Sequence, residues 1–246
     1  MNRVQIIGGK MKEKTKLFAL PYAFGSAYIY NDLKDIDTDK YEVIPLEYPG
    51  HGSRFGEELL EDIHDIAYDV YRQMRNYVRK SDGNYAIMGY SMGGIIAFEL
   101  YKLIKEHKLQ EPKAFFAFAS SAPSRKYSVE EYEKYDLYDV KKYLKKMNGT
   151  SKEVLENEEL LELFQPIVVG DLVALRDYND NYSDIKIECP LIVVRGSEEI
   201  DSTTYNWDDF SNGDSYYYQV EGEHFFMFEN EKNLIDCKEI IEKVLA

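Results

Sequence analysis

The most informative residue of this sequence is a serine, Ser91, with one glycine two positions before it and another two positions after it. The segment Gly89–Gly93 reads Gly-Tyr-Ser-Met-Gly, and it lies between the apolar runs Tyr85–Met88 and Ile95–Phe98. This order predicts a strand, a tight turn and a helix, with the serine hydroxyl raised above a sheet edge at the positive end of the helix. Glycines suit such a turn because side chains there would collide with neighbouring backbone. Ser91 is therefore predicted to be a nucleophile.

A serine hydroxyl becomes a strong nucleophile when a base accepts its proton and an acid orients that base. The turn resembles the nucleophile turn of the α/β-hydrolases, in which the acid and then the histidine follow the serine along the chain. Of the four histidines, His224 follows Ser91 at a distance that leaves room for further strands. It comes after the strand-like run Tyr216–Val220 and a glycine. We therefore expect His224 on a loop at the carboxyl end of a late strand.

The acid is expected in the loop after the apolar run Leu191–Val194. Three carboxylates there are candidates, namely Glu198, Glu199 and Asp201. Hydrolases with this turn usually place the acid three residues after the glycine that ends the strand, here Gly196, and this spacing favours Glu199. Asp201 is the commoner residue type but stands two positions later, and Glu198 is the third choice.

Acyl transfer also needs two backbone N–H groups that bind the developing oxyanion. The residue after the nucleophile, Met92, is expected to supply one of them, and a loop after an early strand the other. Such a loop, Pro21–Ala27, follows the apolar run Leu17–Leu20. Ala23 is the predicted donor in this loop, with Phe24 as the alternative.

These segments together resemble the type II thioesterases, the stand-alone editing enzymes of nonribosomal peptide and polyketide assembly lines. The early loop is similar to the family's Pro-x-Ala-Gly-Gly-Ser, with Phe24 in place of the first glycine. Tyr48–Arg54 is similar to its Pro-Gly-x-x-x-Arg signature, and Gly222–Phe226 to its Gly-Gly-His-Phe-Phe. Leu160–Asp171 is similar to the family's lid segment, and Trp207 stands seventeen positions before the predicted base, as a family tryptophan commonly does.

The resemblance implies hydrolysis of acyl thioesters held on the phosphopantetheine arm of an acyl or peptidyl carrier protein. Ser91, His224 and the acid would form a catalytic triad, and no cofactor or metal would be needed. Tyr22 and Phe24 lie in the predicted oxyanion loop and Tyr90 stands beside the nucleophile, so we expect all three to contact the acyl chain or the pantetheine arm. The family normally has Asp at the acid position, so the acid loop of this chain departs from the family pattern.

Strand-like and helical segments alternate along most of the chain. This alternation predicts an α/β-hydrolase fold with a mostly parallel, doubly wound sheet, in a single domain spanning residues 1–246. The strand-like runs are Leu17–Leu20, Val43–Leu46, Tyr85–Met88, Ala114–Ala119, Leu191–Val194 and Tyr216–Val220. Helical periodicity is found at Leu59–Val78, Gly93–Glu106 and Leu234–Val244. Between about residues 125 and 184 the alternation breaks, and helical patterns at Val129–Lys146, Lys152–Leu163 and Gly170–Asn179 predict a lid over the site.

Charge and composition restrict the class of partner. The formal net charge of −15 disfavours nucleic acid and anionic membrane as ligands. The densest positive run, Lys141–Lys146, lies in the predicted lid, where it is either a docking surface for an acidic carrier or a solvated helix face. The sequence lacks an apolar run of about eighteen residues and an apolar leader, so we expect a cytoplasmic protein. We also expect a monomer, and no disulfide between Cys189 and Cys237.

Three other functions fit parts of this pattern. The first is a chain-releasing thioesterase cut from a synthase, which the lack of a carrier or linker remnant disfavours. The second is a general short-chain acyl esterase, which the Pro-Gly and Gly-x-His-Phe-Phe matches disfavour. The third is a non-catalytic scaffold with an irregular acid loop, which the presence of both Ser91 and His224 disfavours.

Overall fold

A six-stranded sheet forms the centre of the molecule, and all of its neighbouring strands run parallel. The computed structural model describes residues 13–36, 38–123, 131–147, 150–178, 184–199 and 206–245. The strands are β1 (Thr15–Leu20), β2 (Tyr41–Pro45), β3 (Tyr85–Tyr90), β4 (Phe115–Phe118), β5 (Leu191–Gly196) and β6 (Ser215–Val220). Their order across the sheet is β2-β1-β3-β4-β5-β6. The predicted fold class is confirmed.

Helices cover both faces of this sheet. They are α1 (Asn31–Asp35), α2 (Ile63–Val78), α3 (Met92–Glu106), α4 (Leu137–Met147), α5 (Lys152–Glu156), α6 (Glu158–Asp177), α7 (Phe226–Glu229) and α8 (Glu231–Leu245). Along β3, Tyr85 and Ile87 share a core with α2 and α3, whereas Ala86 and Met88 share the opposite core with α8. Every residue of β3 is buried, as expected for a central parallel strand between two helical layers.

The start of α2 differs from the sequence prediction. The apolar periodicity begins at Leu59, but the helix begins at Ile63. The side chain of Asp62 accepts hydrogen bonds from the backbone amides of His64 and Asp65 and so caps the helix at that point. Amides in the first turn have no partner within the helix, and a capping carboxylate satisfies them. The cap therefore sets the boundary more strongly than the apolar pattern does.

The described part of the segment between β4 and β5 forms a helical insert with a core of its own. We use "the insert" for residues 131–147 and 150–178, which contain α4, α5 and α6. The buried side chains of that core are Tyr132, Val140, Leu144, Leu155, Leu161, Val168 and Leu172. Of the outer limits predicted for the lid, the one near 125 lies outside the described residues, and the one near 184 directly follows residues outside them. The insert therefore has a core of its own, while Ala174 of α6 belongs to the main core that α2 and α3 share.

The two helices predicted for the second half of the insert, Lys152–Leu163 and Gly170–Asn179, are replaced by the short α5 and one long α6. α6 runs through Pro166, although proline removes an internal hydrogen bond and usually ends or kinks a helix. Asn157 caps its start by accepting a backbone hydrogen bond, and buried residues such as Ile167 follow the proline directly. Tertiary burial thus outweighs the local break in helix propensity.

Candidate active site

Ser91 occupies the turn between β3 and α3 in a strained backbone conformation. Its φ is +53° and its ψ is −117°, outside the regions favoured by L-residues. A Cβ atom at Gly89 would lie 2.2 Å from the carbonyl oxygen of Gly93, and one at Gly93 would lie 2.3 Å from the carbonyl oxygen of Leu20. Neither glycine can carry a side chain, so the two glycines allow the turn that exposes the serine.

Three side chains from three different strand ends meet at this turn. His224 follows β6, and its Nε2 lies 3.0 Å from Ser91 Oγ. Glu199 follows β5, and its Oε1 lies 2.7 Å from His224 Nδ1, while its Oε2 accepts the Gly196 N–H at 2.9 Å. An ionised carboxylate can only accept, so Nδ1 carries the hydrogen and Nε2 is left as an acceptor. That tautomer is the one that can take a proton from the serine hydroxyl.

The candidate acids differ in where the structure places them. Glu199 is the carboxylate in contact with His224, and only 9% of its side chain is exposed. Glu198 lies beside a separate acidic hollow that also contains Glu223 and Glu229. Asp201 lies outside the described residues. Glu199 is thus the acid that the described geometry supports.

The loop after β1 carries the candidate oxyanion donors. Among the residues that the structure describes, neither the Ala23 amide nor the Met92 amide donates to another protein group. The Phe24 amide, by contrast, donates to Asp171 Oδ2 at 2.5 Å and is already occupied. The hydroxyl of Tyr48 donates to the Pro21 carbonyl at 2.9 Å and holds the start of the loop. Of the two predicted donors in this loop, the geometry favours Ala23 over Phe24.

An apolar cleft of about 170 Å³ lies between this loop and the insert. The insert contributes Leu144, Val154 and Phe164 to its walls. The loops of the main body contribute Tyr22, Phe24 and Phe225. Two of the three residues predicted to contact substrate, Tyr22 and Phe24, thus line the cleft. Since Phe225 is the neighbour of His224, the cleft adjoins the candidate base.

Tyr90 occupies a different position from the one predicted. Its side chain is fully buried, and its hydroxyl donates to the carbonyl oxygen of His224 at 2.7 Å. Its ring packs against Phe226 and Phe228 rather than lining the cleft. Side chains alternate along a strand, and the alternation in β3 directs Tyr90 into the core on the side of α8. Tyr90 therefore supports the loop that carries His224, and the prediction that it contacts substrate is corrected.

A buried histidine–aspartate pair beside the oxyanion loop was missed by the sequence reasoning. His51 lies in the loop after β2 and Asp171 in α6, and both are buried. His51 Nε2 lies 3.0 Å from Asp171 Oδ2, and His51 Nδ1 lies 3.0 Å from the Pro49 carbonyl oxygen. Burial lowers the pKa of His51, but the Asp171 carboxylate raises it, and the balance leaves this pKa above its usual value. Both residues fall within segments that carry the family resemblance, which is the one signal that could have drawn attention to them.

Comparison with known proteins identifies the family. The family model described as "Thioesterase domain" matches residues 15–245 of the chain. The chain belongs to the thioesterase family. It is therefore a thioester hydrolase of the α/β-hydrolase serine type.

Individual relatives of this thioesterase cover nearly its whole length. The human "S-acyl fatty acid synthase thioesterase, medium chain" is 28% identical over 234 residues, which are 92% of this chain and 88% of that protein. The crystal structure of ClbQ from the colibactin NRPS/PKS pathway is 26% identical, with a TM-score of 0.85, over 95% of this chain and 97% of that one. The type II thioesterase BorB from the borrelidin biosynthetic cluster is 25% identical, with a TM-score of 0.82, over 95% and 93% of the two chains.

No helix in the described part of the chain combines the length and apolar character that a membrane span needs. Cys189 and Cys237 are both buried and unpaired with each other.

Proposed function

We propose that this chain removes acyl groups from the phosphopantetheine arm of acyl or peptidyl carrier proteins, as a stand-alone editing thioesterase. The observation that carries the proposal is the hydrogen-bonded series Ser91–His224–Glu199 beside an apolar cleft. Such a series supplies a nucleophile, a base and an orienting acid. Similarity to ClbQ, which comes from an NRPS/PKS pathway, and to the type II thioesterase BorB supports the carrier as the source of the thioester.

In the proposed first half-reaction, Ser91 Oγ attacks the thioester carbonyl carbon while its proton passes to His224 Nε2. The carbonyl π electrons move to oxygen, and the N–H groups of Ala23 and Met92 bind the resulting oxyanion. The intermediate then collapses, the C–S bond breaks, and the departing thiol takes the proton from His224. Glu199 keeps the imidazole in the required tautomer and stabilises its positive charge. The products are the free carrier thiol and an acyl ester of Ser91.

In the second half-reaction, a water molecule attacks the acyl ester and gives a proton to His224 Nε2. The same two N–H groups bind the second oxyanion, and the Ser91 oxygen leaves with the proton that His224 returns to it. The acid is released and the enzyme is restored. All the groups involved come from one copy of the chain, so the proposed reaction needs no second copy.

The size of the cleft supports a short acyl group as substrate. Its volume of about 170 Å³ is close to that of a cavity of about 150 Å³ that holds one benzene molecule, which has six carbon atoms. Its walls are mostly apolar side chains, which favour an acyl chain over a peptide. Because the insert supplies Leu144, Val154 and Phe164, we propose that it acts as the lid that shapes the acyl site.

One alternative has a specific observation in its favour. The human relative is described as a medium-chain fatty acid synthase thioesterase, so release of a medium-length chain is a second candidate function. The two candidates differ in chain length. An editing enzyme must accept several short acyl groups, whereas a medium-chain release enzyme discriminates against them.

We expect carrier-bound acyl groups to be hydrolysed with a higher kcat/KM than the same groups on a small thiol. Contacts between the carrier and the enzyme contribute binding energy that a small thiol cannot supply. The measurement compares acetyl, butyryl, hexanoyl and decanoyl groups on a carrier protein and on N-acetylcysteamine, with p-nitrophenyl butyrate as an oxygen-ester control. Equal values for carrier and small thiol would indicate a general thioesterase, a strong decanoyl preference would indicate medium-chain release, and a preference for the oxygen ester would indicate an esterase.

The lysines of α4 are the proposed docking surface for the carrier. Leu144 faces the cleft, while Lys142, Lys145 and Lys146 are exposed and Lys141 is half-buried. Among the described residues, these lysines form no ion pair with a carboxylate. They therefore place unpaired positive charge on the same helix that lines the cleft, within a chain of net charge −15. An acidic carrier would be attracted to this helix in particular.

We expect Lys141→Glu with Lys145→Glu to raise KM for the carrier substrate about tenfold and to leave small-thioester kinetics unchanged. Exposed charges are screened over roughly 10 Å at 0.1 M salt, so added salt should reduce the difference between wild type and variant. The control variant is Lys80→Glu with Lys108→Glu, which makes the same change in charge. These exposed residues follow α2 and α3 and lie at the amino-terminal ends of the strands, opposite the candidate site. An equal rise in KM in that control would show that net charge, and not docking at α4, is responsible.

A further inference from the structure

A buried carboxylate of α6, Asp171, lies against the oxyanion loop and the loop after β2. Asp171 is 0% exposed, and its Oδ2 accepts two hydrogen bonds, from the Phe24 amide at 2.5 Å and from His51 Nε2 at 3.0 Å. Its other oxygen, Oδ1, is buried and has no hydrogen-bond partner among the described residues. An unsatisfied buried polar atom destabilises the folded state. A buried ion pair is also often no more stable than two apolar side chains of similar size. Stability alone does not account for this arrangement.

The charge state of the pair follows from its hydrogen bonds. His51 Nδ1 faces the Pro49 carbonyl oxygen and Nε2 faces the Asp171 carboxylate, so both ring nitrogens point at acceptors. Two acceptors require two N–H donors, which makes His51 an imidazolium opposite a carboxylate. Glu47 adds to the attraction for the positive charge, and the ring of Tyr48 packs edge-on against the imidazole. The same Asp171 oxygen that faces this imidazolium accepts the Phe24 amide.

The amide that Asp171 holds belongs to the residue directly after the candidate oxyanion donor. Phe24 has a φ of +54°, a left-handed conformation that is unfavourable for a residue with a side chain. A hydrogen bond to a carboxylate is stronger than one to a neutral acceptor, and it can hold that conformation. If Phe24 rotated out of it, the peptide plane next to Ala23 would turn with it. The direction of the Ala23 N–H would then no longer be fixed.

We infer that Asp171 is a positioning residue that, backed by His51, fixes the Phe24 amide and so aims the Ala23 N–H at the oxyanion. The inference deepens the proposed function and rests on it. It also couples the insert to the oxyanion loop, since the helix that helps to line the cleft carries the carboxylate. Asp171 does not touch the reacting atoms, and its effect should be specific to the transition state.

The test separates binding of the oxyanion from binding of the acyl chain. An acyl trifluoromethyl ketone accepts the Ser91 oxygen at its carbonyl carbon and presents a tetrahedral oxyanion, whereas an S-alkyl pantetheine thioether offers no carbonyl. For Asp171→Ala we expect the ketone to bind ten- to a hundredfold more weakly and the thioether within about threefold of wild type. Loss of a whole oxyanion donor costs about 10²–10³ in kcat, which sets the upper limit. We expect kcat to fall with the ketone affinity while KM stays within about threefold.

Two further variants distinguish positioning from simple destabilisation. Asp171→Asn keeps an oxygen that can accept the Phe24 amide, so we expect it to restore ketone binding to within about fivefold of wild type. His51→Met with Asp171→Leu replaces the ion pair by apolar side chains, which should fold with little loss of stability. This double variant still lacks the acceptor, so it should bind the ketone as weakly as Asp171→Ala. It also keeps the test decisive if Asp171→Ala does not fold.

Glu99, in α3, provides a matched control beside the end of α6. It is buried too, its Oε2 lies 3.2 Å from His64 Nδ1, and its Oε1 accepts from Tyr178 OH at 2.7 Å. It pairs in addition with Lys102. Glu99→Ala therefore removes a carboxylate–histidine contact to α2 and a hydrogen bond from Tyr178 of the insert, without touching the oxyanion loop. We expect a lower Tm with unchanged ketone affinity and kcat.

Two results would overturn the inference that Asp171 positions the oxyanion donor. If Asp171→Ala or the double variant weakened the ketone and the thioether equally, Asp171 would be shaping the acyl site and not the oxyanion site. If Asp171→Asn were as weak as Asp171→Ala, the hydrogen bond to Phe24 would not be the cause. Ketone binding needs only Ser91 addition, so it still tests Asp171 if the wild type hydrolyses no carrier-bound thioester. That last result would count against the proposed function alone.

Discussion

Ser91→Ala is expected to lower kcat for acyl thioesters by a factor of about 10⁴ or more, with Tm within about 2 °C of wild type. The loss follows because no other group in the described site can form the acyl ester, and removing the nucleophile of such a series removes nearly all of its catalysis. The glycines that allow the turn remain, so the fold is kept. The measurement is the turnover of butyryl-N-acetylcysteamine, together with the mass of the protein after treatment with a fluorophosphonate.

Wild type should gain one fluorophosphonate adduct and Ser91→Ala none. Ser81→Ala is the matched control. Ser81 follows α2, far from the site in the fold, and its Oγ donates to the carbonyl oxygen of Val78 at the end of that helix. It should keep full activity and be labelled normally. A Ser91→Ala variant that retained more than a tenth of wild-type activity would rule out the triad.

Glu199→Gln is expected to lower kcat by a factor of about 10²–10⁴, while Asp201→Asn has a much smaller effect. The glutamine amide can donate to His224 Nδ1, which would move the ring hydrogen to Nε2 and leave no acceptor for the Ser91 proton. Glu199 already occupies Nδ1 at 2.7 Å, so a second carboxylate has no role in setting the tautomer. The measurement is single-turnover acylation of each variant at several pH values.

Glu198→Gln is the neighbouring control, since its side chain lies at the acidic hollow and not at His224. The reverse ranking of Glu199→Gln and Asp201→Asn would assign the acid to Asp201. Small effects of all three variants would mean that another group orients the histidine.

The meeting of Ser91, His224 and Glu199 could be predicted because each residue follows an apolar run at a characteristic spacing. In a parallel sheet the carboxyl ends of the strands lie at one edge, so three loops far apart in sequence converge there. Here β3, β5 and β6 lie within four neighbouring positions of the sheet. Hydrophobic pattern and chain order together are enough to bring those side chains close to one another.

Other features depend on tertiary contacts that no local pattern records. Tyr90 stands beside the nucleophile in sequence, but the alternation of side chains along β3 turns it to the other face. α6 continues through Pro166 because its flanking residues are buried. His51 and Asp171 are 120 positions apart, and each alone resembles a surface residue of its type. Only the packing of α6 against the loop after β2 gives the pair its environment.

The continuity of α6 has a bearing on attempts to change acyl preference by exchanging segments between relatives. The helix contributes Phe164 and Val168 to the cleft, and one turn later it contributes Asp171 to the loop that holds Phe24. A graft that imports a foreign α6 with a different residue at that position would replace the selectivity of the cleft and disturb the reaction centre at once. Chimeras should therefore move the segments around residues 21–27, 49–51 and 158–177 as one unit, or keep the native aspartate.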